Sequence, residues 1–393
     1  MATTNLVLAT ELIAQTIKGL TPTTPVSGPE ALSGWFRVLV LYDVAEAIRL
    51  EQVRSILGAQ SGWRKPSFTR PAPDYVRFEP APVVEPIDEF EIKTDVWLKG
   101  RINYYEYGVV SVELEREFAC GWESLVEQSS LWIAEPLLER HALSLAQHSL
   151  KRAARALVKP NEDWLSEAYY VVQLGEMKAS EGRPATASEL LARHGQEIAQ
   201  IVRGESVALS DTERQEILQA STSYTPTDLL VVGWTGALVY DTPEDAAHTI
   251  QLLEYANTQL LEFRYYDNLL TRVLKGVYAS LERRRSFLSR WKLAREAERL
   301  NTIRLEVIEL TERSDNSIKF LSDMFCARLY RLAAAKVGVP DYRNLVEQKL
   351  RTAGQLYEFM VQGFHQARAF VLELAVVVIL IIELVMLFRG KPA

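Results

Sequence analysis

Two cysteines, Cys120 and Cys326, are all the thiols that 393 residues offer. That excludes a disulfide framework and a cysteine-based zinc site, and it fits folding in a reducing compartment. The phosphate-binding glycine patterns are missing too: neither G-x-x-x-x-G-K-[ST] nor G-x-G-x-x-G occurs. GWTG at Gly233–Gly236 reads as a β-turn. No G-x-S-x-G nucleophile elbow is present. The first residues, MATTNLVLATELIAQTIKGL, lack a basic start and an unbroken apolar run, so no secretory leader is expected and the bulk of the chain is expected to be cytoplasmic. Basic residues are in the minority, 44 against 51 acidic, which disfavours a general polyanion coat. Histidine is scarce, with five in all; only His141 and His148 are close, and two helical turns hold them about 10 Å apart, too far for one metal. Acidic pairs such as Asp43/Glu46 and Glu113/Glu115 read as surface charge. No catalytic residues, no metal ligands and no cofactor are expected, and the chain reads as a non-enzyme.

What is present is architecture. Hydrophobic residues make up 48% and charged residues 24%, enough for a sizeable core. Nine of the sixteen prolines fall between Pro22 and Pro86. They flank a strand, WFRVLVLYDV, and a helix, AEAIRLEQVRSIL, within an N-terminal segment 1–88; the second proline-rich stretch reads as a surface loop. Residues 89–241 read as an α+β domain. A β-rich run from Glu89 to Phe118 precedes helices at Gly121–Ile133 and Pro136–Val158 and a strand at Trp164–Leu174. Helices at Thr186–Val202 and Ser210–Ala220 and a hairpin within Thr227–Asp241 complete it.

From Glu244 to Lys336 there is no proline and one glycine, Gly276. Pro243 sits at a first helical position with acids behind it. Leu293, Leu300 and Val307 with Ile303 and Leu310 form a heptad, as do Val346, Ala353, Met360, Ala367 and Leu374. Residues 243–368 therefore read as a long antiparallel, coiled-coil-like hairpin with its turn at 337–340. The arm from Asp341 to Phe388 would be roughly 70 Å long.

That arm ends in AFVLELAVVVILIIELVMLF, Ala369–Phe388, twenty residues of which eighteen are apolar. It has the length of a transmembrane helix, about 30 Å. Glu373 and Glu383 lie about 6 and 7.5 Å inside its two ends and about 80° apart. They either snorkel to the interfaces, or mark a face that packs against another helix in a homo-oligomer, or form a carboxylate ring in a pore. A basic run, LERRRSFLSRWKLAREAERL, carries Arg283, Arg284, Arg285, Arg290 and Lys292. A solvated face, anionic lipid headgroups, or RNA are the three readings for it.

YYEYGVVSVEL (Tyr104–Leu114), LLEYANTQLLEFRYYDNLL (Leu252–Leu270, with Glu262 and Arg264), LNTIRLEVIELTERSDNSIKFL and LELAVVVILIIEL together resemble the required-for-meiotic-nuclear-division family, also called the YagE-like domain of unknown function. The chain departs from its pattern at Glu106, where aspartate is frequent, and in its long proline-rich N-terminal segments. The resemblance implies a membrane-anchored protein with an α+β domain and a C-terminal span, and a link to translation and the ribosome.

The combined expectation is an α+β protein of four parts: 1–88, 89–241, 243–368 and a span at 369–388. It would be a membrane-tethered scaffold binding a cytoplasmic protein partner, with the hairpin holding the domain off the bilayer. The alternative is an oligomeric transporter or channel subunit with a glutamate-lined helix face, and a third, less favoured reading is a hydrolase or nucleotide enzyme with an unrecognised site.

Overall fold

A computed structural model describes residues 32–58, 60–61, 81–93, 96–177, 182–282, 298–305, 307–308 and 324–389. The fold is mixed α/β, as the sequence implies. Among the described residues the strands form one sheet: β1 (Leu32–Ile48), β2 (Gln60–Ser61), β3 (Val83–Lys93), β4 (Val96–Tyr104), β5 (Val109–Cys120), β6 (Leu157–Leu174), β7 (Ser221–Thr222), β8 (Leu229–Val232) and β9 (Gly236–Tyr240). Their spatial order is β2-β3-β4-β5-β1-β6-β9-β8-β7. Neighbours are antiparallel except β6 and β9, which run parallel. A parallel pair needs a crossover. Helices α4 (Ala187–Arg203) and α5 (Asp211–Leu218), with β7 and β8, lie between β6 and β9 in the chain and supply it.

Strand alternation sorts the two faces of this sheet. Phe36, Val38, Val40 and Tyr42 of β1, Val110, Val112 and Leu114 of β5, and Tyr170, Val172 and Leu174 of β6 enter one large apolar core. That core also takes residues from α1 (Leu50–Leu57), α2 (Trp122–Ile133), α3 (Pro136–Arg152), α4 and α5. Phe36 anchors it, with its ring 4.7 Å from Phe118 and 5.8 Å from Trp132. The intervening residues Leu39, Leu41, Val109, Glu113, Tyr169 and Val171 point the other way and are buried as well. Helix α6 (Pro243–Glu282) covers that second face, and from Leu252 to Phe263 every residue is buried.

Several sequence-level boundaries move. β1 does not yield to a helix at Ala45. After an irregularity between Asp43 and Ala45 it continues to Ile48, because Ala45, Ala47 and Ile48 pair with Pro160, Val158 and Leu157. β6 accordingly starts at Leu157, seven residues earlier than the Trp164 read from its apolar end. Pro86 sits inside β3, next to the short edge strand β2, where a missing donor is tolerated. Gly233 N donates to Gly236 O at 2.8 Å, so GWTG does form the turn joining β8 to β9.

The described chain clusters as two compact units. The first holds the sheet, the helices on both of its faces through Phe263, and α7 (Met324–Val337) up to Pro340. The second takes the part of α6 from Arg264, the helical residues 298–305 and 307–308, and α8 (Val339–Arg389) from Asp341 onward. Its interior uses Leu270, Val273, Leu274 and Val277 of α6, Leu300, Ile303 and Val307, and Val346 and Ala353 of α8. Lys349 ties α8 to α6, 2.5 Å from Asp267 and 2.6 Å from the Thr271 hydroxyl. Gly338, with φ of +92°, makes the turn between α7 and α8.

Among the described residues no helix is long and apolar enough to cross a membrane. The expected span at 369–388 is therefore not found as such.

Candidate functional site

Two places in the first unit gather polar side chains away from water. The first is the seam between the sheet and α6. Glu113 is 1% exposed at the middle of β5. It receives Arg37 from β1 at 2.5 Å and Arg101 from β4 at 2.5 Å. Burial works against its charge, but Arg101 and Arg37 outweigh burial and hold the carboxyl below its ordinary range. Arg37 also binds Glu115 and donates through Nε to Gln173 Oε1 at 3.1 Å. Across the seam Glu254 of α6 accepts from Asn103 Nδ2 at 2.7 Å. Burial and the neighbouring Glu113 push its carboxyl upward. Two carboxylates that face one another are thus driven in opposite directions, so a proton entering the seam settles on Glu254. One turn further, Thr258 meets Tyr107 at 2.8 Å, and Tyr107 stacks on Tyr105 with ring centroids 5.4 Å apart. Burial pushes both phenols up.

The local sequence dictates this arrangement. Ser111, Glu113 and Glu115 alternate on one face of β5, while Glu254, Thr258 and Glu262 recur every four residues on α6. Read alone, each stripe looks solvent-facing. Packed together, they are buried, with Arg37 and Arg101 neutralising Glu113 and Asn103 donating to Glu254. Gly108 closes the β4–β5 hairpin with φ of +91°, and a Cβ there would stand 1.7 Å from the Ala45 carbonyl oxygen. The tyrosine pair is thereby fixed in a tight loop.

The second place is a pocket of about 310 Å³ at the β7–β8–β9 end of the sheet. Cys326 of α7 and His248 of α6 line it, with Sγ 3.4 Å from Nε2. Asp228, Asp241 and Asp245 line it too. Each of these also stabilises chain geometry. Asp228 accepts from the amides of Tyr224 and Thr225 at 2.8 and 2.6 Å. Asp241 accepts from Thr242 N at 2.8 Å, and Asp245 from the Thr242 hydroxyl at 3.2 Å, at the start of α6. Burial raises the Asp241 carboxyl to about 6, with Asp228 and Asp245 adding to the effect against the Thr242 amide. No group of three or more potential metal ligands stands together among the described residues.

The residues singled out from sequence scatter. Arg283, Arg284, Arg285, Arg290 and Lys292 lie outside the described residues. Glu262 is 6% exposed on α6 in the first unit, and Arg264 is half-buried at the start of the second. Glu373 and Glu383 are exposed on α8. His141 is on α3 and its ring stacks on Phe90 at 6.0 Å. Reading Asp43 and Glu113 as surface charge is corrected: Asp43 is 3% exposed and Glu113 1%. Burial carries Asp43 up to about 7, opposed by Asn161, which donates to it at 2.9 Å. His248 and Cys326 stand 78 residues apart, and no spacing rule joins them.

Comparison with known proteins places the sheet unit. No solved structure matches the chain. The curated "Uncharacterized protein MJ0711" of Methanocaldococcus jannaschii is 20% identical over 189 residues, 48% of this chain. The match takes in 58% of that relative's own length, less than two thirds. The resemblance to the required-for-meiotic-nuclear-division, or YagE-like, family is overturned, because the family match found is to a different group. Three of the four stretches that carried the resemblance lie beyond residue 246, outside the matched region. Leucine-rich helices and an aromatic, β-branched strand recur in unrelated proteins for packing reasons alone. The matching family covers residues 33–246, more than half of the chain and nearly all of the sheet, and the chain belongs to it: the family described as "Uncharacterized protein MJ0711, N-terminal domain".

Proposed function

We propose that this is a membrane-tethered, partner-binding protein without enzymatic activity of its own, its sheet unit working on the cytoplasmic side and α8 serving as the anchor. The end of α8 carries the proposal. From Leu372 to Met386 every side chain is exposed, and the large apolar ones are 46–71% exposed on all faces of the helix. A helix in water keeps such a surface covered. With Ala369–Val371 and Leu387–Phe388 added from the sequence, the apolar stretch reaches the roughly 30 Å of a hydrocarbon core. Glu373 and Glu383 fall near its two ends, where a carboxylate costs least. Their shared broad face is where a second copy of the helix would pack.

The charged groups in the seam between the sheet and α6 support a structural rather than a catalytic role. Glu113, Arg37, Arg101 and Glu254 are spent on one another and on Asn103 and Gln173. Deleting Leu372–Phe388 is expected to move the protein from the membrane pellet to the supernatant. A deleted chain that still sediments with membranes would remove the anchor. Crosslinking Glu373→Leu and Glu383→Leu variants in membranes tests the packed face: the oligomer size changes if the face packs, and stays the same if the glutamates only snorkel.

A further inference from the structure

The geometry points to Cys326 as a modification site, a thiol paired with His248 that reacts with small, positively charged disulfides admitted through the pocket beside β8 and β9. The two cysteines of the chain stand in different surroundings. Cys120 is 1% exposed within the main apolar core, where burial pushes its thiol up. Cys326 is 3% exposed but borders a cavity, and its Sγ lies 3.4 Å from the imidazole Nε2 of His248. That is the reach at which an imidazole accepts a thiol proton and leaves the nucleophilic thiolate. A space of about 310 Å³ holds a small molecule.

The lining selects by charge. Its carboxylates are Asp228, Asp241 and Asp245, and neither lysine nor arginine is among the described residues that line it. Arg328 lies 5.9 Å over the Phe325 ring without joining the lining. The Tyr224 ring is tilted against Phe325 with centroids 5.1 Å apart and is 59% exposed, which gives the pocket an aromatic side open to water. An anionic disulfide meets repulsion here and a diamine disulfide meets attraction. In the reaction the Cys326 proton passes to His248 Nε2 and the thiolate attacks one sulfur of the disulfide. A new S–S bond forms at Cys326, and the leaving aminothiolate takes the proton back from the imidazolium. The disulfide is the oxidant, so the thiol is oxidised as half of the reagent is reduced. The site is independent of the membrane anchor.

The test uses the full chain in mild detergent, with cystamine as the cationic disulfide and dithiobis-nitrobenzoate as the anionic one. Mass spectrometry of both cysteine peptides gives the two rates. Cystamine is expected to modify Cys326 at least about tenfold faster than Cys120, and His248→Gln to slow Cys326 by about tenfold with Cys120 unchanged. Equal rates at the two cysteines of the native chain, or an unmodified Cys326, overturn the site. If His248→Gln loosens the fold and speeds Cys120, Asp245→Asn decides in its place. It is expected to lower the cystamine-to-nitrobenzoate rate ratio at Cys326, and an unchanged ratio overturns the charge selection.

Discussion

Glu113 sits between two guanidinium groups at 1% exposure, so removing its charge leaves Arg37 and Arg101 facing each other in the seam. Glu113→Gln is expected to lower unfolding stability by about 2–4 kcal/mol in urea titrations at pH 7. Its carboxyl is depressed in the fold, so its contribution is present above the unfolded value and is lost as pH falls. The unfolding curves of the wild type and the Glu113→Gln variant should therefore converge in acid. Asp43 has the opposite sign. Its folded value of about 7 exceeds the unfolded one, so the native state holds the extra proton and loses stability as pH rises from about 4 through 7. Asp43→Asn keeps an oxygen for the Asn161 donor and removes the charge. Its stability relative to wild type should grow by on the order of 2–4 kcal/mol between about pH 4.5 and about pH 8. A difference that is flat with pH would contradict a buried protonated Asp43. Gly108→Ala meets both a positive φ and the Ala45 carbonyl, and should cost about 2–4 kcal/mol in the same titration.

Elements with strong local punctuation were legible in the sequence. Pro136 opens α3. Thr186 caps α4 in a capping box with Glu189, and Ser210 caps α5 through the Glu213 amide. Thr186→Ala is expected to cost about 1 kcal/mol, seen as a lowered urea midpoint with an unchanged slope. Elements fixed by distant partners were not legible. Residues Ala45–Ile48 have helical spacing, yet the strand continues there because residues 157–160 lie alongside. The polar start of β6, KPNED, carries no strand signal of its own; Pro160 is placed by its pairing with Ala45, and Asn161 by its hydrogen bond to Asp43. The seam failed to show for a related reason. Alternating Ser111, Glu113 and Glu115 match the pattern of a wet face, and only the cover provided by α6 turns them inward.

At the scale of the whole chain, sequence reading found the mixed α/β class, the long helices and the apolar end of α8, because each is a run of many residues with one period. It could not find the Cys326–His248 pair, which exists only once α6 and α7 pack in the sheet unit. Nor did local likeness of strands and helices identify the family, which is defined over residues 33–246. The two compact units divide the work in the proposed function: the sheet unit binds, and the second carries the anchor. The exposed apolar end of α8 is the feature on which that proposal turns. Alkaline carbonate extraction of membranes from cells making the full chain tests it most directly. Retention in the pellet, with release once Leu372–Phe388 is deleted, is the predicted result. Release of the intact chain by carbonate alone would contradict it.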